Sequence, residues 1–155
     1  MTIAFACVLF MGLLPYVAAG IAKKGFEGYD NGQPRTWLAK QTGFRARANA
    51  AQANLFESLP LFFAAVIIAS LMQAPQARLD LLALGFVISR IAYLICYVGN
   101  WPTMRSIVWL CGIVCVVAIF FQIQIDRQRL FRNYLEKLIY GHQKSSCEVS
   151  RQDSF

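Results

Sequence analysis

The chain has 155 residues, of which 57% are apolar and 15% charged. That charge content lies below the roughly 25% usual for a soluble domain. With a mean hydropathy of +0.47, it excludes an ordinary water-soluble fold in favour of an integral membrane protein of one compact domain. The net charge of +7 arises mainly from one loop and its flank, with a smaller share from the tail. Topology-setting charge accounts for most of it, and nothing indicates nucleic-acid binding.

A membrane span needs ~20 mostly apolar residues, and four segments meet or approach that length: Thr2–Ile21, Leu55–Met72, Leu79–Val98 and Ile107–Ile125. The first contains Pro15, which membrane helices tolerate. It ends in Ala18, Ala19 and Gly20 but lacks a basic n-region, so it reads as a span rather than a cleaved signal peptide. Loop one, from Ala22 to about Phe44, is polar and carries Lys23, Lys24, Arg35 and Lys40 against Glu27 and Asp30. Arg45 and Arg47 follow at the start of the next helix. Loop two (Gln73–Arg78, with Pro75) and loop three (Gly99–Thr103, with Pro102) are short. Short loops join antiparallel neighbours, so the expected fold is all-α, an antiparallel four-helix transmembrane bundle over residues 1–125. The basic residues of loop one place loops one and three in the cytoplasm by the positive-inside rule, in the inner or plasma membrane if the protein is bacterial. Arg127, Arg129, Arg132 and Lys137, just after span four, pull the other way.

Residues 126–155 form a separate tail. Leu130, Phe131, Tyr134, Leu135, Leu138 and Ile139 recur at helical spacing with basic residues on other faces, which predicts a basic amphipathic helix. From about Gly141 onward the chain is polar, and disorder is expected.

Cys7, Cys96, Cys111 and Cys115 lie in the spans, where a thiol packs as a small hydrophobe. With Cys147 the cysteine number is odd and no C-x-x-C pair occurs, so neither a disulfide framework nor a zinc site is indicated. His142 is the only histidine and sits in the tail, which argues against histidine catalysis and metal clusters. Phe62, Phe63, Phe86, Phe120 and Phe121 read as lipid-facing or packing residues. Trp101 and Trp109 flank loop three, where tryptophan belts occur. Gly85 and Ser89, four apart, are candidates for close helix contact.

Glu57 in span two and Arg90 in span three are opposite charges inside apolar stretches. An Arg or Asp at mid-bilayer costs at least ~2.5 kcal/mol on insertion scales, so such residues pair, line a polar cavity or carry function. Arg47, Asn54 and Glu57 share one face of span two, and Arg90, Tyr93 and Tyr97 share one face of span three. Arg105 opens span four. The helical rise puts Glu57 ~15 Å below Arg47 and Arg90 ~14 Å below Gly99, at one level. Asn54, Tyr93, Tyr97 and Arg105 fall between that level and the loop-one surface. A buried pair that merely holds helices together is one reading. The excess of Arg47, Arg90 and Arg105 over Glu57 favours the other, a pocket for an anionic ligand.

The runs PRTWLAKQTGFRARANAAQANLFESLPLFFAAVIIA and RIAYLICYVGNWPTMRS resemble the second-helix region, and the third helix with the start of the fourth, of the MAPEG family, the membrane-associated proteins in eicosanoid and glutathione metabolism. The resemblance covers about Met1–Phe121. It implies a microsomal glutathione transferase-like protein whose four-helix protomers form homotrimers. Glutathione, the co-substrate, lies between neighbouring protomers near the cytoplasmic side. By match to the motifs, Asn54, Glu57, Arg90 and Tyr97 contact the tripeptide, with Tyr93 and Arg47 beside them, and Arg105 steadies the thiolate as the catalytic group. A thiol of pKa ~8.5 needs such a cation to be largely ionised at neutral pH. One departure stands out. The transferase branches resemble Arg-Ala-x-x-Asn-x-x-Glu, and here the position four before Asn54 is Ala50, with Arg47 three residues earlier.

Two functions follow. In the first, the protein activates glutathione for attack on small lipophilic electrophiles or lipid hydroperoxides arriving from the bilayer. In the second, it is a non-catalytic lipid-binding or scaffold protein of the same fold, which the missing arginine at position 50 fits. A transporter is disfavoured, since only Pro15 and Pro60 interrupt the spans and no inverted repeat is visible.

Overall fold

The architecture comes from a computed structural model that describes residues 1–25 and 28–152, with side chains except at 126, 130 and 137–152. Five helices follow one another: α1 Ile3–Ala22, α2 Pro34–Ala39, α3 Gly43–Leu71, α4 Gln76–Val98 and α5 Pro102–Gln152. All but α2 are long and apolar enough to cross a membrane. Two compact units result, Met1–Phe120 and the segment from Phe121 onward.

Within the first unit the ends of the helices fix their directions. The Asp80 carboxylate, near the start of α4, accepts from Ala4 N at 2.8 Å and from Gln76 Nε2 at 2.7 Å. It therefore caps the start of α1 from another helix, supplementing Thr2, whose hydroxyl accepts from Phe5 N. An acid at a helix N-terminus satisfies a free amide and complements the helix dipole. The starts of α1 and α4 thus lie at one end. At the other end Arg47, near the start of α3, donates from Nε and Nη2 to Val98 O at 3.2 and 3.0 Å, capping the last turn of α4. The expected antiparallel order follows from these two contacts.

Lipid tails are as apolar as leucine, so close packing rather than hydrophobicity holds membrane helices together. α1 and α3 meet through fully buried alanines, among them Ala4, Ala18, Ala48, Ala51 and Ala69. α3 and α4 meet through Phe62 and Phe86, whose rings stack at 4.2 Å and 11°. Such a pair contributes ~0.5–1.5 kcal/mol beyond its area. Of the phenylalanines read as lipid-facing or packing, these two pack, whereas Phe121 is exposed. Gly85 and Ser89 do mark a close contact. A Cβ on Gly85 would lie 3.2 Å from Cys115 Sγ, and one on Gly112 would lie 2.6 Å from Ser89 Oγ. This is the seam between α4 and α5, and it explains Cys115 as a packing residue.

Loop one is more ordered than its polar composition predicts. Pro34 opens the single-turn-and-a-half α2, which buries Trp37 edge-on against Tyr29 at 5.1 Å. Lys23 Nζ donates to the Tyr29 hydroxyl at 3.0 Å, and Arg45 Nε donates to Lys24 O at 3.1 Å. Glu27, counted in the charge of this loop, lies outside the described residues. The second span begins at Gly43, well before Leu55, because the polar stretch ahead of it continues the same helix.

In the second unit the backbone is helical as far as Gln152, and Phe131 and Tyr134 are exposed on it. The side chains of Leu130, Lys137, Leu138 and Ile139 lie outside the described ones. The expected disorder from Gly141 is not found among the described residues, whose helical backbone reaches Gln152. Extending an existing helix adds one hydrogen bond per residue without a new nucleus, so polar residues suffice.

Candidate functional site

The seven residues singled out on α3, α4 and the start of α5 do not form one pocket. Tyr93 is the hub. Its ring meets that of Tyr97 edge-on at 5.4 Å, and its hydroxyl lies within electrostatic reach of Arg90, Arg105, Tyr97 and Glu57. Around it the structure sorts the charges into three settings.

Arg90 is sealed. It is 0% exposed, the largest fully buried side chain among those described. Nη2 donates to Trp109 O at 2.7 Å, and Nε reaches Ser89 Oγ at 3.5 Å. The guanidinium lies over the Phe86 ring at 5.1 Å and the Tyr93 ring at 5.3 Å. Gly112 makes the room, because a Cβ there would lie 2.9 Å from Arg90 Cζ. Nη1 finds no hydrogen-bond acceptor among the described residues. No ion pair joins Arg90 to Glu57, so the expected partnership is replaced by a bond to the α5 backbone. The reason is proximity: a carbonyl beside a glycine offers an acceptor that requires no second charge to be desolvated.

Arg47 is likewise committed. Its donors hold Val98 O at the end of α4, and it does not line the recess that Asn54 and Glu57 enter. Reach along the helix from Arg47 to the position left by Ala50 is therefore turned aside by a closer acceptor.

Glu57 is open. It is exposed and accepts from Asn54 Nδ2 at 3.4 Å. Both enter a recess of about 140 Å³ bounded by α3, α4 and α5. Ser58 completes its polar end, and Leu61, Phe86, Trp109, Ile113 and Val116 form the rest of its wall. The expected surplus of positive charge is absent from this wall: Glu57 supplies its only formal charge, and no arginine lines it. Ser58, Trp109 and Gly112 are the residues that the sequence reading did not connect to the site. Ser58 was reachable by its place beside Glu57. Trp109 and Gly112 carry no local signal, since their role depends on the approach of α5 to α4.

Arg105 is the available cation. Half-buried at the start of α5, it lies with Cζ 4.5 Å above the Tyr97 ring. Its guanidinium donates no hydrogen bond within the described residues, so its N–H groups remain free for an anion. A free guanidinium of this kind suits an anion, a thiolate included, because a nearby cation favours the ionised form of a thiol.

No curated protein matches the chain. The model of the MAPEG family matches residues 3–125, which takes in the first three spans, much of the fourth and every residue of the site. With four apolar helices long enough to cross a bilayer and this match over most of its length, the chain belongs to the MAPEG family of membrane proteins.

Proposed function

We propose that the protein is a glutathione-dependent transferase or peroxidase acting on lipophilic substrates. The observation that carries this reading is Arg105: a half-buried guanidinium stacked on Tyr97, with no hydrogen bond among the described residues, one helical turn before Trp109, which lines the recess. Glutathione supplies the sulfur nucleophile. Arg105 holds its proton-free form by charge, and Tyr97 and Tyr93 bound the same side with hydroxyls able to donate to it. Arg90 acts behind Tyr93 and not on the ligand, since its guanidinium is enclosed. Stopped-flow mixing with glutathione tests the proposal through thiolate absorbance. A rise is expected in the native chain and its loss in Arg105→Ala, while an unchanged signal in that variant overturns the mechanism.

One observation favours the second reading, a non-catalytic lipid-binding protein. Position 50 is alanine, and the nearest upstream arginine, Arg47, is held by Val98 O. Specific lipid binding with neither conjugation nor peroxidase turnover supports that reading over the first. In both, the assembly is a homotrimer in the bilayer with loops one and three cytoplasmic. Native mass spectrometry reads the first feature, and reagent accessibility of single cysteines placed at Lys24 and Arg78 reads the second.

A further inference from the structure

The segment after span four carries chemistry that the bundle does not use. Among its described side chains, Phe131 is 64%, Tyr134 62% and Leu135 41% exposed. Separated by three and four positions, they share one helix face, and the spacing of the sequence adds Leu130, Leu138 and Ile139 to it. That face takes up about half of the helix circumference. Arg127, Arg129 and Arg132 are exposed on the same stretch. None of the three makes an ion pair or hydrogen bond among the described residues, the exposed Glu136 included. With Lys137 they put four cations within eleven residues, against Asp126 and Glu136. By register, Arg132 and Lys137 border the apolar face on its two sides, and Arg127 enters it at the end that joins the span. Long basic side chains in such places lay their stems along apolar surface and extend their charge to water or headgroups.

We infer that the tail from Arg127 to Ile139 is an interfacial helix that binds an anionic lipid surface, with Phe131, Tyr134 and Leu135 at the acyl boundary and the arginines on phosphate-bearing headgroups. Two observations select lipid as the occupant. The first is position. The apolar helix from Pro102 to Glu136 has 35 residues, about 15 more than a bilayer crossing needs, so the tail begins where headgroups begin. The second is charge. Unpaired cations complement an anionic leaflet, to which each Lys or Arg strengthens attachment about fivefold. A nucleic acid would use the cations and leave the apolar face in water, and an apolar partner would leave the arginines unpaired. The inference also gives a role to the tail cations that oppose the topology set by loop one: they attach the tail to the leaflet on their own side. It does not rest on the glutathione reading, because the family match ends at residue 125.

Hydrogen exchange of the full chain in two kinds of nanodisc tests this, one of phosphatidylcholine alone and one with about one-third phosphatidylglycerol. Amides of residues 127–136 are expected to exchange more than about tenfold more slowly on the anionic discs, and the difference should shrink at high salt. Replacing Arg127, Arg129 and Arg132 together by Gln should bring the two rates to within about twofold, and replacing them by Lys should restore the difference. Phe131→Ser combined with Leu135→Ser, both at exposed positions, should also reduce it. Unchanged exchange in α3 and α4 shows that each variant keeps the bundle. Equal exchange of the native tail on the two discs, or a difference unmoved by the Gln variant, overturns the inference. Slow exchange on both discs that the Gln variant leaves unmoved also overturns it, and assigns the apolar face to a second copy of the chain. Protection by single-stranded RNA on phosphatidylcholine discs, with none from phosphatidylglycerol, overturns it in favour of a nucleic acid. The discs contain no glutathione, so failure of the lipid test leaves the thiolate experiment untouched, and loss of the thiolate signal leaves the tail inference standing.

Discussion

Arg90 and Glu57 are charges of opposite sign on neighbouring transmembrane helices, and both border Phe86. Arg90 lies wholly inside the α4–α5 seam, held by Trp109 O and roofed by two aromatic rings. Glu57 opens into a recess with only Asn54 as a hydrogen-bond partner among the described residues. The contrast separates two ways of keeping an ionisable group in a bilayer. One surrounds it with small residues and a backbone acceptor, which makes it part of the framework. The other leaves it at the edge of a cavity, where it can select what enters. In a bundle whose helices gain little from hydrophobicity alone, the first kind fastens helices and the second kind meets ligands.

The comparison is broken most strongly at Arg90. Arg90→Ala removes the bond to Trp109 O and leaves a void between Phe86, Tyr93 and Gly112, so a loss of about 3–5 kcal/mol is expected. Thermal unfolding in detergent micelles measures it, and a change below 1 kcal/mol, in the range of ordinary surface substitutions, contradicts a framework role. Gly112→Ala comes next, at about 1–3 kcal/mol, because its Cβ enters the space of the guanidinium. Combined with Arg90→Leu its cost should shrink; a double-mutant cycle showing strict additivity means that the two residues do not share that space. Asp80→Ala, at the opposite end, removes the cap on Ala4 N and should cost about 1 kcal/mol. Accelerated hydrogen exchange confined to the first turn of α1 is its signature. Glu57→Gln is expected to leave stability within about 0.5 kcal/mol while weakening ligand binding. A large destabilisation there places Glu57 with Arg90 in the framework and removes the distinction.

Much of this was legible before any coordinates. Apolar runs separated by short proline-containing loops specified the spans, and Gly85 and Ser89 indicated where two helices approach. The family motifs marked the face that carries Asn54, Glu57, Tyr93, Tyr97 and Arg105. The direction of the arginines was not legible. Helical spacing puts Arg47 with Asn54 and Glu57, and Arg90 with Tyr93 and Tyr97, and the pooled charge then suggests one cationic pocket. Each arginine is long enough to choose among several acceptors, and the choice falls to backbone carbonyls on other helices, Val98 O and Trp109 O.

The sequence by itself determined the membrane class, the helix order and the family, because these follow from hydropathy, loop length and local motifs. Only the tertiary structure decided that the constellation divides into an enclosed cation, an acid-lined recess and an Arg105 that donates no hydrogen bond among the described residues. That division turns on Gly112, a residue with no side chain to signal its role, which lets α5 come close enough to Arg90 to take its hydrogen bond and leave Glu57 as the one charge lining the recess.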